Sequence, residues 1–135
     1  MENLHQKQIS IAPGEWGEVA AGLVAPAVDF VDDVRIQVEA GAAKVFFVLD
    51  GALIIGCFVL RIDHDSQGAE GVIVAAGGAC RGVDLVASCL PAVEQLFIGV
   101  SRVRIHTERP GLEKKLQALG YFRREVVYVK ELKNG

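Results

Sequence analysis

The sequence predicts one layered α/β domain with helices on both faces of a sheet, and three observations predict it. Strand-like and helix-like stretches follow one another in the order β, α, α, β, β, β, α, β, α, β. The richest strand, Ala52 to Ile62, is apolar on both of its faces, as a central strand covered on both sides must be. The 135 residues also have the length of a single domain built on one core.

Gln6 to Ile11 form a first strand, and Pro13-Gly14 marks a turn into a segment where Trp16, Val19, Ala20 and Leu23 recur at helical spacing. Pro26 ends that helix, because its ring lacks the amide donor and crowds the preceding turn. In the second helix Phe30, Val34 and Val38 fall on one stripe, Asp32, Asp33 and Glu39 lie off it, and Gly41 is the stop. Lys44 to Leu49 and Ala52 to Ile62 are β-branched and aromatic runs joined by Asp50-Gly51, a hairpin signal in which both turn positions take positive φ. Leu53, Ile55, Cys57 and Val59 point to one face of the second run, and Ile54, Phe58 and Leu60 to the other.

After a polar loop, His64 to Ala69, Glu70 to about Ala76 is a strand, and Gly77 to Gly82 is a turn of small residues. Val83, Val86, Leu90, Val93 and Phe97 then recur at spacings of three and four, the pattern of a helix lying on a sheet. Pro91 inside that helix costs about 3 kcal/mol and bends or splits it. Ser101 to His106 is a strand with Val103 and Ile105 on one face. A short helix follows, opened by Pro110, striped by Leu112, Leu116 and Leu119 and closed by Gly120, and Val126 to Leu132 is the last strand.

Apolar residues make up 51% of the chain, yet Asp50, Gly51 and Arg61 interrupt its richest stretch before it reaches the roughly 18 residues that cross a bilayer. MENLHQKQIS has no apolar core behind a basic start, so no secretory signal is expected and the expected address is cytoplasmic. Cys57, Cys80 and Cys89 are odd in number and too widely spaced for a Cys-x-x-Cys pair, which fits reduced thiols. With a net charge of -3 and its basic residues spread along the chain, the protein lacks the concentrated basic face that nucleic acid requires. Neither nucleic acid nor membrane is an expected partner.

Several local patterns carry no chemistry. His64 and Asp65 beside Ser66 lack the Gly-x-Ser-x-Gly elbow of an activated serine and read as solvated turn residues. His106 has no second ligand at metal-binding spacing, so no metal is expected. The Rossmann glycine fingerprint and the Walker phosphate loop are both absent.

The order of elements, with a glycine-containing turn joining the third core strand to the long helix, resembles the GNAT N-acetyltransferase superfamily over nearly the whole chain. Arg104-Ile105-His106-Thr107-Glu108-Arg109-Pro110, followed by Leu116-Gln117-Ala118-Leu119-Gly120-Tyr121-Phe122, is similar to that family's strand, helix and leucine-glycine-aromatic ending. The resemblance implies one GNAT-like domain over residues 1–135, with a central mixed, mostly antiparallel sheet flanked by helices on both faces.

It also implies a site. The family holds acetyl-CoA with a turn of pattern Gln/Arg-x-x-Gly-x-Gly/Ala, whose unpaired amides and helix dipole attract the pyrophosphate. The matching positions are Gly77, Gly78, Ala79, Cys80, Arg81 and Gly82, and Val74, Ala76 and Val83 complete the implied cofactor-binding set. Gly82 fits, whereas Gly77 stands where Gln or Arg is usual and Cys80 where the first glycine is usual. Arg81 adds a charge-assisted contact to phosphate. Asp84 opposes it by about 4 kcal/mol before screening. Acyl transfer on this fold needs a strand amide for the oxyanion, a base for the amine and an acid for the thiolate. The resemblance implies that the amide comes from the backbone around Val74 and Ala75; Glu70, at the start of the strand beside the cofactor turn, is the best-placed carboxylate for a base, and its plainer reading is an exposed strand-end charge. The family's acidic tyrosine is matched by Leu116 and its helix-start asparagine by Arg109, which leaves Tyr121 or Tyr128 as substitutes, with Tyr128 taken into the catalytic set.

The implied function is acetyl-CoA binding and transfer of acetyl to an unidentified amine or protein acceptor. The alternative is a catalytically degenerate member of the same fold that works as a binding or structural module, by homodimerisation or by contact with another protein.

Overall fold

The computed structural model describes residues 9–78, 85–106, 110–124 and 127–132. Three consecutive strands, Lys44–Asp50 (β2), Leu53–Asp65 (β3) and Gly68–Gly78 (β4), pair antiparallel as a meander, because two-residue connections let neighbouring β-rich runs fold back directly. Ile9–Gly14 (β1) adds to β2 antiparallel, and Arg102–Ile105 (β5) adds to β4 in parallel, giving the order β1-β2-β3-β4-β5. The helices are Glu18–Val24 (α1), Val31–Glu39 (α2), Leu85–Glu94 (α3) and Pro110–Ala118 (α4), with one 3-10 turn at Ala25–Ala27 carrying Pro26 just past α1.

Alternation from Cys57 to Leu60 fills two cores, whereas Ile55, expected on the Cys57 face, is the extra residue of a β2–β3 bulge and packs on the Phe58 face. Phe58 and Leu60 join Ile73, Leu90, Val93 and Leu116 under α3 and α4, while Cys57 and Val59 join Ala20, Val24, Val34 and Ala75 under α1 and α2. The sheet is thus mixed, mostly antiparallel and covered on both faces, as expected. No helix among the described residues is long and apolar enough to cross a membrane.

The structure departs from several sequence expectations. The Pro13-Gly14 turn is instead the end of β1, where an edge strand tolerates the missing proline donor, and the expected first-strand residues 6–8 lie outside the described residues. The β2–β3 connection is Gly51-Ala52 rather than Asp50-Gly51. Asp50 already pairs with Leu53, and only Gly51 takes a positive φ, 62°, as a type II′ turn requires. The polar stretch 64–69 is a ribbon of β3 and β4 closing around Ser66-Gln67, with His64 opposite Ala69 and the Gln67 N–H donating to Asp65 Oδ1 at 2.8 Å. It is polar because this end of the hairpin is largely open to water.

Pro91 lies on the exposed side of α3, which runs through it to Glu94, and Phe97 packs beyond the helix over Gly71. The last strand, Val126 to Leu132, does not form within the chain. Residues 127–132 carry no regular structure and Val127 and Val129 are exposed, while Val126 lies outside the described residues.

Gly77 and Gly78 belong to β4 rather than to a turn, paired with Cys57 and Gly56. A Cβ on Gly77 would stand 2.0 Å from the carbonyl oxygen of Leu23, so this glycine lets the end of α1 sit directly on the strand. Gly77→Ala is expected to destabilise the fold by about 1–3 kcal/mol, since a backbone oxygen cannot swing aside. Gly22→Ala, on the exposed face of α1 with nothing within 4 Å of the added methyl, is expected to stabilise it by about 0.5–1 kcal/mol. Urea unfolding of the two variants measures both signs.

Candidate functional site

Parallel pairing of β4 with β5 covers Glu70–Ile73 and Arg102–Ile105, after which β4 runs on to Gly78 paired, among the described residues, with β3 alone. A β-bulge sits at the parting point. Val59 pairs with Ala75 and Leu60 with Ile73, which leaves Val74 as the extra residue. Consequently Val74 and Ala75 both face the α1–α2 core, while Ile73 and Ala76 face the α3–α4 core. Among the described residues no strand pairs with β4 on the β5 side past Ile73. Alternate backbone N–H and C=O groups of this stretch therefore point into the opening without a ladder partner. α3 starts at Leu85 beyond the end of β4 and returns along the sheet toward the start of β5, so its positive end lies on the side where the strands part.

Next to the paired segment, the face of the sheet that α1 and α2 leave uncovered carries charge. Glu70 is opposite both Asp63 and Arg102 in the ladders, so their side chains share this face. Arg102 Nε donates to Glu70 Oε2 at 2.6 Å, and Arg104 Nε lies 3.5 Å from Glu70 Oε1. Arg104 Nη2 also donates to Asp63 Oδ2 at 3.1 Å, while Arg61 holds Asp63 with two bonds, Nε to Oδ1 at 2.7 Å and Nη2 to Oδ2 at 3.0 Å. Arg61 Nη1 reaches Gln37 Oε1 at 2.7 Å and so ties α2 to this network. The hydrogen bond from Arg61, with the nearby Arg61, Arg104 and His64 charges, holds the Asp63 carboxyl below the usual carboxylate range against a smaller desolvation effect. The bond to Glu70 stabilises the Arg102 guanidinium further.

Two open cavities of about 450 Å³ each lie elsewhere, one between β1 and α3 beside Ile11 and Cys89, the other beside Trp16, Val38 and Phe46. Neither is lined by β4 or β5. Among the described residues no group of three or more His, Cys, Asp or Glu is placed to hold a metal ion. Cys57 is fully buried, and desolvation pushes its thiol up to about 12.

No protein-family model matches the sequence, and no curated protein matches it. Solved structures do match. A Clostridium difficile 630 protein described as a possible acetyltransferase superposes with a TM-score of 0.70 at 11% identity, over 92% of this chain and 97% of that one. An aminoglycoside N-acetyltransferase in complex with CoA gives 0.66 at 17% identity, over 96% and 97% of the two chains. An aminoglycoside acetyltransferase from an uncultured soil sample, in complex with sisomicin, gives 0.67 at 11% identity, over 93% and 97%. The chain has the GNAT fold. Identities of this size carry the fold and not the reaction.

On that GNAT frame the residues singled out from sequence fall in different places. Val74 and Ala76 lie where β4 parts from β5, and Gly77 and Gly78 follow in the same strand. Gly78 is closed by Leu85, whose side chain would stand 2.4 Å from an added Cβ. Ala79, Cys80, Arg81, Gly82 and Val83, with Asp84 and Arg109, lie outside the described residues. Glu70 lies at the start of the paired segment with its carboxylate engaged by two arginines, not as an exposed strand-end charge. Leu116 is buried in the α3–α4 core. Tyr121 donates to Glu94 Oε2 at 2.5 Å, and burial, with that bond, raises its phenol well above the ordinary value. Tyr128 is 93% exposed in the C-terminal tail and apart from this cluster of charges.

Sequence reading missed Arg61, Asp63, Arg102 and Arg104 as a group. The signal was present as alternation, Arg61-x-Asp63-x-Asp65 and Arg102-x-Arg104, which puts charge on one face of two strands. The depressed Asp63 carboxyl predicts a sign for acid unfolding. Its contribution is complete above its unfolded value, about 3.9, and is lost as pH falls toward its lower folded value. Asp63→Asn is therefore expected to melt below the native chain at pH 6, with the difference shrinking below about pH 4. Melting curves from pH 2 to 6 measure it.

Proposed function

We propose that this protein is an N-acetyltransferase that takes acetyl-CoA as donor and an amine as acceptor. The observation that carries the reading is the parting of β4 from β5 at a bulge, which leaves the β5-side edge of β4 from Val74 to Gly78 without a ladder partner among the described residues inside a GNAT fold. The pantetheine arm of CoA carries two amides, and an open strand edge offers the donors and acceptors that such an arm matches. The solved relative with CoA supports the same choice of donor.

In this reading a backbone N–H near Val74 or Ala75 donates to the thioester oxygen as it becomes an oxyanion. The neutral amine attacks the carbonyl carbon, and the C–S bond then breaks with its electron pair leaving on sulfur. A thiol has a pKa near 8.5, so the thiolate departs at neutral pH with modest help from an acid. That suits a chain whose Leu116 is core and whose Tyr121 phenol is spent on Glu94. Glu70 is the base of the proposal and receives the amine proton through water, its carboxylate held in place by Arg102 and Arg104. Tyr128 remains the proposed acid, reaching the thiolate from the tail.

A second reading, a fold that binds without catalysing, is favoured by Leu116 in the core and by the two arginines on Glu70. Ligand binding and turnover separate the two. CoA or acetyl-CoA at a hundred times its dissociation constant is expected to stabilise the fold by about 2.7 kcal/mol, read as a rise in melting temperature. Release of free thiol from acetyl-CoA across a panel of amines then reports transfer, and Glu70→Gln is expected to slow it by about 10²–10⁴ with the thermal shift retained. No shift with either ligand at millimolar concentration rejects both donor binding and catalysis; a shift without thiol release leaves the binding module.

A further inference from the structure

The three arginines of the charged face are not engaged alike. Arg61 uses all three of its nitrogens, on Asp63 and on Gln37 of α2, and acts as a tie between elements. Arg102 donates from Nε to Glu70 and sets Nη2 at 3.5 Å from Asp65. Arg104 makes a single hydrogen bond among the described residues, from Nη2 to Asp63. Its Nε lies 3.5 Å from Glu70 Oε1, is shut off from water and has no hydrogen-bond partner there. A guanidinium carries five donors and a buried one left unmet is costly, so Arg104 has a capacity that its neighbours do not fill. We propose, resting on the N-acetyltransferase reading, that the acceptor is an amino acid and that Arg104 holds its carboxylate while its amine faces the thioester.

Placement supports this choice. Arg104 is opposite Val72, and Ile73 faces the α3–α4 core, so Arg104 stands on the α1–α2 face two residues short of the bulge at Val74. Two residues of strand span about 7 Å, a distance that an arginine side chain and a short amino acid bridge. α3 brings its positive end to the opening from the other face, which suits the anionic donor and leaves this face to the acceptor. Charge supports the choice as well. Arg61, Arg102 and Arg104 are matched by Asp63, Asp65 and Glu70. A zwitterion leaves that balance unchanged, whereas a bare ammonium adds a cation beside Arg104 and a bare carboxylate adds an anion beside Glu70. A carboxylate takes two guanidinium N–H groups at once, so Arg104, tethered by one bond and with 33% of its side chain exposed, gains by swinging onto it. The C–N bond forms as the C–S bond breaks with its electron pair on sulfur, and the amine proton passes by way of Glu70 and solvent to that sulfur. The products are an N-acetyl amino acid and CoA.

The full chain is tested with the common α-amino acids, each paired with its carboxamide, which keeps the amine and loses the carboxylate. The preferred amino acid is expected to exceed its carboxamide by about 10–100-fold in kcat/KM for thiol release from acetyl-CoA, and by a similar factor in calorimetric affinity for the CoA-loaded protein. Arg104→Gln is expected to bring both ratios to about one, and Arg104→Lys, which keeps the cation and the fold but loses the fork, to reduce them. Arg61→Gln, which removes the fully engaged arginine, is expected to lower the melting temperature and keep the ratios. A native chain that treats acid and amide alike, or a preference that survives undiminished in either Arg104 variant, overturns the proposal, while thiol release with any amine keeps the transfer reading. Carboxylate-dependent binding without thiol release supports the role of Arg104 and rejects transfer alone. Neither binding nor release overturns both.

Discussion

The fold depends on β4 serving four neighbours at once. It pairs with β3 along its full length and with β5 along part of it, and it packs under α1 on one face and α3 on the other. A regular strand sends alternate side chains to alternate faces, and one extra residue is the smallest change that resets this order. The bulge at Val74 makes that change where the β5 ladder stops. Small residues from Ala75 to Gly78 then let both helices come close, and the added methyls that Gly77 and Gly78 exclude would meet α1 from one side and α3 from the other. Close helix seating and a free strand edge thus come from the same short stretch.

The charged face illustrates how a sheet manages its uncovered area. Arginines and carboxylates on three adjacent strands are paired across the ladders, so the face is strongly polar yet locally near balance. Each exposed pair contributes little alone. Their joint effect is to fix side-chain positions, above all that of Glu70, whose side chain is only 12% exposed. Arg61 extends the order to α2 through Gln37, so the helix cover and the charged face share one anchor.

Much of the architecture was legible because its signals are local. The two-faced apolar run of β3, Val34 and Val38 of the α2 stripe, Leu112 and Leu116 of the α4 stripe and a hairpin after Leu49 all depend on residues a few positions apart, whereas Phe30 and Leu119, expected on those stripes, lie just outside the helices and are exposed. What escaped depends on solvent or on distance. The ribbon around Ser66 reads as a loop because water reaches most of it and removes the alternation that betrays a strand. Pro13 reads as a turn residue, although at a sheet edge its missing donor costs no ladder bond. Glu70 was visible as a strand carboxylate, but its partner Arg102 is 32 residues away and no local pattern joins them. The bulge left no trace in composition, since a single additional valine in a valine-rich strand looks like any other. Residues 127–132 have the composition of a strand, yet among the described residues they form none and stay exposed.

The strand ladders also differ in how far along the chain their members lie. β1 excepted, the meander joins successive runs through two-residue turns, so its contacts close at small entropic cost. β5 can dock only after the α3 crossover has been laid down, and it is held to the sheet by a ladder of four residues. The β4–β5 seam therefore closes over a longer loop than the meander turns and is held by a shorter ladder than either meander pair. Hydrogen exchange is accordingly expected to be faster at the amides of that short ladder than in the meander on which α1 rests.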